Sequence, residues 1–241
     1  MQIANPIYDV VFKYLMEDSR VAKFMLTQIT GENILDVSLE PQENFLEKSD
    51  YKNLSVYRLD FRACIKTKEG KYKTVLIEIQ KAKYPSDIMR FRRYLGSQYA
   101  NSENTYTEKK GKKGSKVQKK PMPLITIYFL GYHLEHTKAP IIKVARKCYD
   151  LSLNKEILIK EEFIEALTHN SFIIQIPYIK DKYKTDLDLL LSFFDQKNKE
   201  ADQHILNIDE TLYPKKYQDL IRRLQRIIAE PVLRRKMNRQ F

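Results

Sequence analysis

Apolar and polar residues alternate one by one through Tyr57-Arg58-Leu59-Asp60-Phe61-Arg62-Ala63-Cys64-Ile65 and again through Val75-Leu76-Ile77-Glu78-Ile79-Gln80. That period of two is the mark of a half-buried strand. In the first stretch Tyr57, Leu59, Phe61, Ala63 and Ile65 share one face, which leaves Arg58, Asp60, Arg62 and Cys64 on the other. In the second, Val75, Ile77 and Ile79 oppose Leu76, Glu78 and Gln80. The segment between, Lys66-Thr67-Lys68-Glu69-Gly70-Lys71, carries a glycine and several charges, as a short hairpin loop would. Antiparallel pairing with both apolar faces on one core brings Asp60, Glu78 and Gln80 onto a single polar face.

Around this pair the period changes. Asn5 to Thr30 reads as two helices: Ile7, Val10, Val11, Tyr14 and Leu15 form one side, and Val21, Phe24, Met25 and Leu26 continue after a polar break. Ile34 to Leu39 reads as a strand. Helical spacing returns at Ile88, Phe91, Leu95 and Tyr99, and Pro123 to Leu130 is a continuous apolar run, as a central buried strand would be. Farther on, a helix is expected around Glu161 to Leu167, a strand over Ser171 to Pro177, and a helix through Leu187, Leu190, Leu191 and Phe194. The tail from Pro214 to Phe241 is a basic amphipathic helix with Leu220, Leu224, Ile227 and Ile228 on its stripe and a break at Pro231; its narrow stripe predicts docking on the core.

Composition adds a direction. The 241 residues carry 43 Lys+Arg against 31 Asp+Glu, a net charge of +12, which favours an anionic partner, nucleic acid or an acidic membrane surface. No apolar run reaches the roughly 20 residues needed to span a bilayer, and the start lacks a signal-peptide pattern, so no membrane span and a cytoplasmic location are expected. Cys64 and Cys148 form no paired motif. With 6 Gly and no Walker, Rossmann or nucleophile-elbow pattern, a small-molecule cofactor is not expected. His133 and His136 read as loop histidines.

Asp60 and Glu78 side by side repel each other unless a cation lies between them, and hard oxygen ligands favour Mg²⁺ or Mn²⁺. The surrounding residues resemble the PD-(D/E)XK nuclease superfamily, in its branch of nuclease-family transposases and recombination-promoting nucleases. Asn5 to Met16 looks like that branch's opening helix, Asp60 stands at the first catalytic carboxylate, Leu76-Ile77-Glu78-Ile79-Gln80 is similar to its Ile-Glu-x-Gln signature, and Asp87 to Leu95 to the helix that follows. Two positions depart from the superfamily pattern: Leu59 replaces Pro before Asp60, and Gln80 stands where most members carry Lys.

The resemblance implies an α/β fold with a PD-(D/E)XK core, a mixed central sheet flanked by helices, over residues 1–180, and a helical basic extension over 181–241. It also implies a metal-dependent DNA endonuclease. The metal would be held by Asp60, Glu78 and the carbonyl of Ile79; Gln80 would orient the attacking water, and Asp9 is a further acidic candidate. Expected phosphate contacts are Lys81, Lys83, Arg90, Arg93 and, in a basic flexible loop near 101–121, Lys109, Lys110, Lys112 and Lys113. An oligomer is left open. So are two other functions: a relative that binds DNA without cutting it, and an interaction protein whose basic tail meets a membrane or another protein.

Overall fold

The computed structural model describes residues 1–39, 45–47, 55–57, 61–80, 87–110, 116–179 and 185–238. The chain opens with β1 (Gln2–Ala4), α1 (Asp9–Met16), α2 (Ser19–Thr30), β2 (Ile34–Leu39), β3 (Phe45–Glu47) and β4 (Ser55–Tyr57). It continues through β5 (Phe61–Thr67), β6 (Tyr72–Gln80), α3 (Asp87–Ala100), β7 (Thr105–Lys110), β8 (Lys116–Pro121) and β9 (Leu124–Leu130). Next come β10 (Ile141–Val144), β11 (Cys148–Asp150), β12 (Lys155–Ile157), α4 (Glu162–Leu167) and β13 (His169–Gln175). Last are α5 (Asp186–Ser192), β14 (Ile205–Asn207), α6 (Gln218–Ala229) and α7 (Pro231–Asn238).

The alternation read from the sequence organises a mixed sheet in the order β10-β13-β9-β6-β5-β2. β2, β5 and β6 form an antiparallel meander, whereas β9 runs parallel to both β6 and β13. A parallel neighbour demands a crossover, and α3 with the β7–β8 ribbon provides it. Odd-numbered residues of β5, β6 and β9, among them Phe61, Ile65, Ile77, Ile127 and Phe129, face one large apolar cluster shared with α1, α2, α5 and α6. Phe12 of α1 sits at its centre, edge-on to Phe61 at 6.3 Å and tilted against Phe129 at 5.6 Å. The other sheet face packs Leu76 against Tyr94 and Leu95 of α3.

The helix pair forms as its pattern predicts, and its ends have local causes. Asp18 caps α2 by accepting from the amides of Arg20 and Val21, and Gly31, at φ +70°, closes it in the left-handed conformation that glycine adopts without strain. Leu220, Ile221, Leu224 and Ile227, spaced on one stripe of α6, are buried in the main cluster, so the basic tail docks as expected. Helices α5 and α6, from the segment expected as an extension, thus share the core of the sheet. Among the described residues no helix is long and apolar enough to cross a membrane.

Two expectations are corrected. The stretch near 101–121, read as a flexible loop, contains a ribbon whose ladder runs from Thr105↔Pro121 to Lys110↔Lys116. Its lysines obscured β-forming Thr105, Tyr106, Thr107 and Val117. Tyr106 lies against Tyr72 at 5.5 Å, and Lys120, 6% exposed, is neutralised by Glu108 at 2.8 Å and Glu162 at 2.6 Å. The strand expected from Tyr57 to Ile65 is also not continuous in its partners. Tyr57 belongs to β4, opposite Phe45 in a separate ribbon, and the sheet strand is described from Phe61 onward.

Candidate metal centre

β6 ends with Glu78, Ile79 and Gln80. Ile79 turns into the main cluster, which sends Glu78 and Gln80 to the α3 side as the alternation requires. What the sequence did not reveal is their depth: Glu78 is 3% and Gln80 7% exposed. A carboxylate so far from water needs a charged or hydrogen-bonding partner. Arg90, at the end of the first turn of α3, supplies one. Its Nη2 donates to Gln80 Oε1, and its Nε lies 3.6 Å from Glu78 Oε1. The helix is held in that position by Phe91 against Tyr128, 5.2 Å between ring centres, and by Tyr94 against Leu76.

Tyr128 is the β9 neighbour of Glu78 in the parallel ladder. Burial pushes its phenol above the ordinary value and the Glu78 carboxylate adds to the rise, against a lowering from its bond to Thr126. It therefore stays protonated at neutral pH. A hollow of ≈10 Å³ lies between Glu78, Phe91, Tyr94, Thr126 and Tyr128, room for about one water molecule.

The backbone contributes direction. Thr74 donates its amide to Pro123, and the carbonyl of Gln80 accepts from the amide of Gly131 at 2.8 Å, so even-numbered residues of β6 bond toward β9. The carbonyl of Ile79 must then face the β5 side. A buried carboxylate and a backbone carbonyl are hard oxygen donors, and the guanidinium beside Glu78 shows that the corner accommodates positive charge. Such donors fit Mg²⁺ or Mn²⁺.

On the same sheet face Arg62, 7% exposed, donates to Asn104 Oδ1, which also accepts from Thr74 Oγ1 at 3.1 Å, while Asn104 Nδ2 donates to the carbonyl of Gln98. Gly131 lines a larger cleft of ≈370 Å³ with Tyr8, Pro177, Asp195, Lys197 and Lys199, at the carboxyl ends of β9 and β13. Open α/β sheets commonly bind ligands at such ends.

The structure therefore brings together Glu78, Gln80 and Arg90. Asp9 is ion-paired with Lys13 at 2.7 Å on α1, the helix that covers the opposite sheet face. Arg93 is exposed on α3, and Lys109 and Lys110 end β7. Asp60, Lys81, Lys83, Lys112 and Lys113 lie outside the described residues. Among the described residues no three His, Cys, Asp or Glu side chains gather. Sequence reasoning missed Arg90 as the inward partner of Glu78, and Tyr128 beside it. A period-two reading of Leu124 to Leu130 would have set Thr126 and Tyr128 on the face of Glu78. Compared with protein families, with curated proteins and with solved structures, the chain matches none.

Proposed function

We propose that this protein is a metal-dependent DNA endonuclease of the PD-(D/E)XK kind. The observation that carries the proposal is the buried Glu78 with Gln80 at the end of β6, facing a cation from α3. Three further features support it. The order of helix, three-stranded meander, helix and parallel strand, from α2 to β9, is the order such a core needs. The register that pairs Phe61 with Ile77 sets β5 antiparallel beside the end of β6 that carries Glu78, the strand pair on which the resemblance puts its metal-binding carboxylates. The net charge of +12 and the lysines at the cleft beyond Gly131 suit a phosphate backbone.

On this reading Glu78, Asp60 and the Ile79 carbonyl would hold the cation. When bound, it lowers the pKa of a water and neutralises charge on a phosphodiester. The Gln80 amide orients that water but brings no charge. Arg90 and Arg62 supply positive charge on the same face, in place of the lysine that position 80 lacks. Nicking of supercoiled plasmid in Mg²⁺ or Mn²⁺, abolished by EDTA, by Asp60→Ala and by Glu78→Ala with DNA binding kept, is the expected result. Absence of cleavage by wild-type protein in either metal would sink the proposal.

One observation favours a second reading, a relative that binds DNA and no longer cuts it: the Arg90 guanidinium stands against the oxygens a metal would use. DNA binding without cleavage in both metals would establish that reading.

A further inference from the structure

Between β10 and β13 the chain leaves the sheet and displays side chains that a monomer would bury. Leu151 is 89% exposed, Leu158 84%, Ile159 82%, Phe163 70%, Leu153 65% and Leu167 62%. Among the described residues β11 and β12 pair only with each other, and α4 has no buried residue although it carries Phe163, Ile164 and Leu167. Ion pairs link the pieces. Lys147 joins Glu156 across the ribbon at 3.1 Å, Arg146 beside it joins Glu165 of α4 at 2.7 Å, and Lys120 ties α4 to β8. β10, next to the ribbon, is the last strand of the described sheet order, with Val144 51% exposed.

We propose that this surface is the interface with a second copy of the same chain. Area is the first reason. The exposed apolar side chains amount to roughly 700 Å² per chain, beyond the few hundred Å² usual on a monomer, and two copies covering them reach the ~1,400 Å² of a standard-size interface. Charge is the second. In a chain of net charge +12, residues 143–167 hold five cations (Lys143, Arg146, Lys147, Lys155, Lys160) and five anions (Asp150, Glu156, Glu161, Glu162, Glu165). A neutral apolar patch on a basic protein is poorly suited to nucleic acid or an anionic bilayer. It is suited to its own copy, because two such patches meet without net repulsion. Topology is the third: a projecting ribbon, an exposed helix and an edge strand side by side allow each copy's ribbon to cover the other's helix about a two-fold axis.

Light scattering after size exclusion and sedimentation equilibrium on the full chain, from low to high micromolar, should give twice the 28.7 kDa monomer mass. The triple variant Leu158→Ser, Ile159→Ser, Phe163→Ser changes only strongly exposed positions, so its circular dichroism should match wild type. Its dimer Kd should rise at least about 100-fold. Amide exchange over residues 148–167 should slow with protein concentration in wild type and not in the variant. A wild-type monomer throughout the range overturns the proposal, as does a dimer that persists in the triple variant. Monomers that bind phosphatidylglycerol vesicles through these residues would overturn it in favour of a membrane.

Discussion

Replacing Arg90 by Ala asks whether the corner built by Glu78 and Gln80 is a place for positive charge. In the wild-type protein Nε stands 3.6 Å from Glu78 Oε1. At an effective dielectric near 20, unit charges at that separation attract by about 4–5 kcal/mol. The Glu78 side chain is only 4% exposed, but that of Arg90 is 34% exposed, so water screens part of the attraction. A net loss of about 2–3 kcal/mol follows, below the ~3–5 kcal/mol of a fully buried pair. For a chain of this size that lowers Tm by about 4–12 °C in EDTA. If the same oxygens hold a divalent cation, Mn²⁺ at about 100 times its Kd returns ~2.7 kcal/mol to the variant. Wild type gains less, because Arg90 already compensates Glu78. Calorimetry on wild type, Arg90→Ala, Glu78→Gln and the double variant, each with EDTA and with Mn²⁺, separates the terms. Arg90→Ala should show the largest Mn²⁺ shift and both Glu78→Gln proteins none. An equal shift in Glu78→Gln would place the metal elsewhere, and a coupling between the two substitutions below about 0.5 kcal/mol would refute the ion pair itself.

Three other outcomes are expected. Tyr217 is fully buried and donates to the Asp186 carbonyl at 2.8 Å; burial, then Asp186 and Tyr213, push its pKa up to about 12, so its contribution is complete below pH 10 and lost as pH rises toward 12. Urea unfolding from neutral to strongly alkaline pH should show Tyr217→Phe escaping about 2–3 kcal/mol of the alkaline decline; identical declines would contradict this. Leu224→Ala, at a fully buried position of α6, should cost about 2–5 kcal/mol while leaving one cooperative transition, and two separate transitions would show that α6 folds apart from the sheet. Substituting Lys109, Lys110, Lys112 and Lys113 by Ala should flatten the dependence of log K for DNA on log salt by about 0.9 for each lysine that meets a phosphate, and an unchanged slope would remove these lysines from the interface.

Where a pattern is local, the sequence carried it. Ile34–Leu39 and Leu124–Leu130 form strands where alternation or a continuous apolar run marked them, and the two opening helices separate at the Glu17-Asp18 break. Period two also set Glu78 and Gln80 on one face. Their burial was not legible, because it depends on how α3 crosses that face. Phe91 and Tyr94 pack inward and carry Arg90 with them, although the helical stripe alone left Arg90 on another side. The β7–β8 ribbon failed for a similar reason. Counting lysines suggested a solvated loop, but Lys120 is satisfied by Glu162, 42 residues away. The three-residue strands β1 and β14 have no periodic signature, since each exists through its partner.

The pairing of β1 with β14 has a consequence for synthesis. Gln2 lies opposite Asn207 and Ala4 opposite Ile205, and α6 packs against β1 from farther along still. A ribosome adding about 5–20 residues per second makes Asn207 some 10–40 s after Gln2. For that interval Ile3, Ala4 and the apolar side of α1 have no C-terminal cover. These early residues are thus among the last to be enclosed, and a chain that stops before Ile205 leaves Ile3, Ala4 and that side of α1 uncovered for chaperones or proteases to find.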